Sequence, residues 1–216
     1  LTTPRKTPAN RSSSEATEVR RWPGLTILTV ARLSMYKGHL PMLGVMAELA
    51  RRNILFRWQL VGDGDEERRI RERVRDLRLE GYVDLLGSVD DDRLQALYQA
   101  CDLFLLPSVS PLEAFGLVLL EAMRAGKPCV VQAVPGSGMS WIVEDGITGR
   151  VVPLKDPWAM TEVLVHAARN PGHWAALGRA GQARAADIFS SERVRAAWLA
   201  TYQQARNTPT GATRRD

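Results

Sequence analysis

Six short apolar runs, separated by stretches of helical periodicity, leave this chain few folds to choose from. The runs are LTILTVA (25–31), LFRWQLVG (55–62), YVDLLG (82–87), DLFLLP (102–107), PCVVQA (128–133) and GRVVP (149–153). They are β-branched, aliphatic or aromatic, the composition of strands buried in a parallel sheet. Between them, Ile70, Val74 and Leu77 recur at helical spacing among Arg, Glu and Asp, and Leu40, Leu43 and Ala47 do so around Pro41 in a first helical turn. Leu94, Leu97 and Tyr98 mark a third helix headed by Asp90, Asp91 and Asp92, and the stretch from about 156 to 206 reads as helical, with Val194, Trp198 and Tyr202 on one side of its last segment. Each parallel crossover needs a covering helix, so the alternation predicts an α/β, Rossmann-like, doubly wound parallel sheet with a helical C-terminal segment. Such sheets bind ligands at the C-terminal ends of their strands.

Charge and length narrow the function. The 216 residues, 45% hydrophobic and 25% charged, suit one globular domain. The net charge of +5 suggests nucleic acid, but residues 1–22 hold five Lys/Arg against two Glu and residues 207–216 two Arg against one Asp, so the tails carry +4 of it. With a nearly neutral body and no basic face interleaved with aromatics, nucleic acid is not expected as a partner. The organisation expected is a basic polar linker or tail (1–22), one domain (23–206) and a polar tail (207–216). No apolar run reaches the roughly 18 to 20 residues of a membrane span, and the opening residues are polar, so the chain is expected in the cytoplasm, at most peripheral to a membrane. Cys101 and Cys129 sit in apolar surroundings and read as buried thiols of a reducing compartment, with a disulfide as the alternative.

The chemistry concentrates at strand ends. Arg32 and Lys37 follow the first strand, and together could neutralise a diphosphate, a planar fork beside a mobile point charge. The same segment also reads as a solvated loop, surface cations being common. Gly62-Asp63-Gly64 follows the second strand, a turn whose glycines would let backbone approach a ligand. Neither a dinucleotide fingerprint nor a P-loop occurs at any strand-to-helix junction, which disfavours hydride transfer and P-loop phosphoryl transfer. The most informative stretch runs from Pro107 to Pro128: a loop carrying Glu113, then a helix expected to start near Phe115 and to be capped by Gly126. The free N–H groups of Gly116 and Leu117 would favour an anion in the crevice. Glu121, inside the apolar LVLLEAM run, needs a partner, either a vicinal diol such as a ribose or an ion pair with Arg124 or an inward Lys.

The order A-R-L-x-x-x-K-G, V-G-D-G, E-A-F-G-L-x-x-x-E-A-M and D-G-I-T-G, with Glu113 and Glu121 eight residues apart, resembles family-four glycosyltransferases, retaining enzymes of the two-domain GT-B type. The motifs span about residues 25 to 206. The resemblance implies that the chain is the donor-binding C-terminal half. Arg32, Lys37 and Glu113 would then be catalytic, with Lys37 and Arg32 on the donor diphosphate and Glu113 facing the transferred sugar. Gly62 and Gly64 would line the crevice, Leu86 to Val89 would form part of the base pocket, Phe115, Gly116, Leu117 and Val118 would present amides to sugar and phosphate, and Glu121 would bind the ribose hydroxyls. It further implies transfer of a hexose-type sugar from a nucleotide-sugar to an acceptor hydroxyl with retention, the leaving phosphate helping to deprotonate the acceptor, without cofactor or obligatory metal. An acceptor-binding N-terminal domain or subunit would be the partner, absent from this chain together with the family's catalytic His.

One departure is Ser140-Trp141, where the family often has Pro-Glu, which puts the donor-sugar side in question. His39, His166 and His173 read as surface or packing residues. Asp90 to Asp92 read as helix capping instead of metal ligation, and Trp58 and Trp198 as packing instead of sugar stacking. A non-catalytic nucleotide-sugar-binding or regulatory subunit and an interaction module with a degenerate pocket are the rival readings.

Overall fold

A computed structural model describes residues 22–188 and, beyond them, Ser190, Arg193, Arg195, Trp198, Leu199 and Tyr202. All six expected strands form: β1 (Leu25–Val30), β2 (Phe56–Val61), β3 (Val83–Gly87), β4 (Leu103–Leu106), β5 (Cys129–Ala133) and β6 (Gly149–Pro153). They make one parallel sheet in the order β3-β2-β1-β4-β5-β6.

Side-chain alternation along the strands explains why the runs are apolar throughout. Ile27, Leu103, Leu105 and Val130 point into one core, packed by α1 (His39–Arg51), α2 (Glu67–Asp76) and α6 (Pro157–Arg169). Leu28, Phe104, Leu106, Cys129 and Val131 point into the other, packed by α3 (Asp91–Ala100), α4 (Leu117–Arg124) and a short α5 (Met139–Ile142) that periodicity did not reveal. The last helix described, α7 (Pro171–Ile188), packs on α4 and gives Trp174 to the first core and Ala185 to the second.

Local signals set the helix ends. The Asp90 carboxylate accepts from the Arg93 amide at 2.8 Å, so this acid caps α3 as expected. Asp156 caps α6 likewise, through the Ala159 amide. The helix after β4 starts at Leu117, two residues later than the sequence suggests, because Gly116 holds a left-handed conformation (φ 81°) outside the helical region. Glu113 therefore lies on a turn, not on the helix that bears Glu121. At the other end Gly126 does take the left-handed position, with amides of Gly126 and Lys127 closing onto Met123 and Ala122. Both cysteines are buried free thiols. Trp58 is fully buried with its indole N–H on Thr29, which bears out packing for this residue. Trp198 and Tyr202 are exposed, and Val194 lies outside the described residues.

Candidate functional site

The strand order reverses direction between β1 and β4. The chain leaves β1 for a helix on one face of the sheet and leaves β4 for a helix on the other, which makes these neighbouring strand ends the switch point where sheets of this kind bind ligands. Lys37 arrives from the first loop and Glu113 from the second, and they form an ion pair with both side chains almost buried (12% and 10% exposed). Ser108 donates to the same Glu113 oxygen at 3.0 Å. Lys37 closes a single 3-10 turn (Met35–Lys37) that Gly38 terminates at φ 75°. A Cβ on Gly38 would stand 2.2 Å from the Pro107 carbonyl oxygen, so only glycine lets the β1 loop dock this closely on the β4 loop. The Val109 amide donates to the Tyr36 carbonyl across the same seam at 2.9 Å.

Arg32 is exposed at the mouth of the loop. Further along the same segment, the Ser34 hydroxyl and both His39 ring nitrogens are buried with no hydrogen-bond partner among the described residues. Burial first, and the Lys37 charge second, hold the His39 imidazole down to about 4, so it is neutral at physiological pH. His39 is thus a buried group at the start of α1, whereas His166 and His173 are exposed, in keeping with their expected surface roles.

The third wall comes from the segment after β5. Ser137 Oγ donates to the Glu113 carbonyl at 2.5 Å and the Gly138 amide to the Ala114 carbonyl at 2.8 Å, which ties that segment to the loop carrying Glu113. Trp141, the departure noted in the sequence, lies against Phe115 with ring centroids 6.3 Å apart, and the Arg184 guanidinium sits 6.0 Å from the indole. Phe115, Leu117 and Trp141 are all at least 36% exposed, so apolar surface flanks the charged pair.

Gly62 and Gly64 have a role that sequence alone did not suggest. A Cβ on either would stand 2.2 or 2.3 Å from the carbonyl oxygen of Ala31 or Leu33, so both glycines admit the neighbouring β1 loop. Amides of Leu33 and Glu66 complete that seam, donating to Asp63 and Leu33. The Gly62 amide reaches Gly87 and Ser88 reaches Asp63, which fixes the end of β3 and its partly buried Leu86 and Val89 beside the turn.

Glu121 is partly buried on α4, next to buried Leu120 and Ala122. Its partner among the described residues is neither Arg124 nor a lysine but Tyr98 of α3, whose hydroxyl donates at 2.9 Å. Burial, then the Glu121 carboxylate, push the phenol far above its ordinary value, so it stays a donor. Tyr98 and Ser108 are the two site residues that sequence reasoning missed as such. Tyr98 registered only as an apolar helix position, and Ser108 as one residue of a loop.

A six-stranded parallel sheet covered by helices on both faces, with an ion pair at its switch point, defines the α/β, Rossmann-like class. The comparisons narrow this: the family described as "Glycosyl transferases group 1" matches residues 16–184, and the chain belongs to it. The phosphatidyl-myo-inositol mannosyltransferase of Mycolicibacterium smegmatis is 32% identical over 143 residues, covering 66% of this chain and 36% of the relative. Among solved structures, sucrose-phosphate synthase from Thermosynechococcus elongatus aligns with a TM-score of 0.75 at 28% identity, over 85% of this chain and 46% of that one. HepE of Anabaena in complex with UDP aligns with a TM-score of 0.74 at 25% identity, over 84% and 49%. The chain thus spans between a third and a half of each of these proteins. Among the described residues no helix is long and apolar enough to cross a membrane.

Proposed function

We propose that this chain is the nucleotide-sugar-binding half of a retaining glycosyltransferase, organised as a domain over 23–206 between polar tails, that moves a hexose-type sugar to an acceptor hydroxyl. The observation that carries the reading is the Lys37–Glu113 pair, drawn from two loops to the point where the sheet reverses. A diphosphate entering the crevice would meet Lys37, Arg32 and the amides at the start of α4, and Glu113 would be released toward the sugar. The anomeric bond to phosphate breaks, the acceptor oxygen forms its bond on the same face, and the acceptor proton passes to the departing phosphate. Charge growing on that phosphate is what the two cations and the helix amides stabilise, an effect of about 3 to 4 kcal/mol per well-placed donor. In this reading no step requires a metal. Relatives support the donor class: HepE was solved in complex with UDP and, in a second structure, with UDP-glucose, and the mycobacterial relative is a phosphatidyl-myo-inositol mannosyltransferase by name. The acceptor is assigned to a partner domain or subunit beyond this chain.

Calorimetric titration of the chain with UDP, GDP, ADP and their common sugar conjugates, repeated on Glu121→Ala, tests the reading. Saturable binding of one nucleotide, lost in the variant, is expected. Binding without transfer in the presence of the acceptor half would make the chain a regulatory subunit, and no binding at millimolar concentration would remove the donor-site reading.

A further inference from the structure

We infer that Tyr98 is the positioning residue that holds the Glu121 carboxylate in the rotamer that receives a ribose diol, so that recognition of the ribose depends on a side chain that never touches the nucleotide. The inference rests on the donor-site reading and deepens it. Tyr98 is fully buried on the inner face of α3 and packs against Phe104 of β4, ring centroids 5.7 Å apart, so its ring cannot turn without disturbing the second core. Among the described residues its hydroxyl donates to Glu121 Oε2, at 2.9 Å.

A carboxylate on a half-exposed glutamate has several rotamers available, and a diol needs both oxygens aimed outward together. One hydrogen bond from a rigid, fully buried phenol selects among those rotamers before the ligand arrives. It occupies one lone pair of Oε2 and leaves Oε1 and the remaining lone pair of Oε2 as acceptors. Two adjacent hydroxyls on a ribose are donors that match that pair. Ser108 also donates to Glu113, but there Lys37 shares the same oxygen and offsets its charge, whereas the partner of Glu121 among the described residues is a neutral hydroxyl. A neutral donor suits the task because it orients the carboxylate without cancelling its charge, as a lysine or arginine would.

The test compares a ribonucleotide with its 2′,3′-dideoxy form, using whichever of UDP, GDP or ADP the wild-type chain binds. Wild type is expected to prefer the ribonucleotide. Tyr98→Phe keeps the ring against Phe104 and is expected to weaken the ribonucleotide about five- to tenfold while leaving the dideoxy form within about twofold. The double variant Tyr98→Phe/Glu121→Ala leaves no carboxylate without its donor, and is expected to match Glu121→Ala alone for both ligands. Equal weakening of both ligands by Tyr98→Phe, no change in either, or a double variant weaker than Glu121→Ala would overturn the inference while ribose discrimination by wild type stands. A wild-type chain that binds both forms equally would instead remove Glu121 from the ribose, and the positioning role with it.

Discussion

The two ends of the sheet differ in a way that cavity size does not predict. At the N-terminal ends of the strands lies a hollow of about 930 Å³ between the start of β1, the start of β5 and the α6–α7 junction, with Trp174 and Arg169 in its wall. Two of its polar side chains serve the fold. Lys127 donates to the carbonyls of Gln99 and Cys101 at 2.8 Å each, and Asp102 accepts from the Thr26 amide at 2.9 Å. At the opposite end, the charged groups of separate loops converge, and the Ser34 and His39 polar atoms are buried without partners among the described residues. Convergent polar chemistry, more than volume, distinguishes a binding end from a structural one.

The comparison can be broken by placing the same lesion at each end. Gly64→Ala would press a methyl on the Leu33 carbonyl, and Gly149→Ala would press one on the Cys129 carbonyl, built at 2.3 and 1.9 Å. Both are expected to cost at least about 3 kcal/mol, a fall of roughly 6 to 12 °C in Tm. Only Gly64→Ala should also weaken the nucleotide in the fraction that remains folded, as read by titration below its Tm. Equal affinity in the two variants would erase the distinction between the ends.

A pH experiment sharpens the binding end. Folded His39, at about 4, lies below its ordinary 6.5, so the unfolded chain takes up a proton that the folded chain refuses as pH drops through that window. Stability conferred by the neutral imidazole is present above 6.5 and is lost on the way to 4. Between pH 7 and 5 this amounts to about 2 kcal/mol. Urea denaturation at the two pH values should show that loss in wild type and a smaller one in His39→Asn.

Lys37→Ala, measured in a protein that includes the acceptor half, is expected to reduce kcat by more than about tenfold, about 1.4 kcal/mol or more, with the domain still folded by circular dichroism. Unchanged turnover would remove that lysine from the machinery. The smallest effect belongs to the hollow, which Arg179 also lines: Arg169→Ala and Arg179→Ala should each change stability by no more than about 0.5 kcal/mol and leave nucleotide affinity within about twofold. A larger loss of affinity from either would make the N-terminal end functional after all.

Several residues of the candidate site were legible in the chain. Glu121 stood out because a carboxylate in an apolar run demands a partner, Glu113 because it opens a motif on the loop after a strand, and Arg32 and Lys37 because they follow a strand. The partners were not legible. Lys37 and Glu113 are 76 residues apart and meet only because β1 and β4 are neighbours, and Tyr98 is 23 residues from Glu121 and meets it only because α3 and α4 cover the same face. The glycines of the β2 turn illustrate the opposite error. Their lack of a side chain was visible, but what occupies the space was the Ala31 and Leu33 backbone.

The sequence by itself determined the six strands, the covering helices other than α5, the capping of α3 and the family, because apolar period, capping chemistry and ordered motifs are local properties of a chain. Tertiary structure alone decided the strand order, the side of the sheet on which each helix lies and which hydroxyl stands behind which carboxylate. Those depend on pairing between segments far apart in the chain, and hydrogen bonds of that kind are specified by packed geometry that no local pattern encodes.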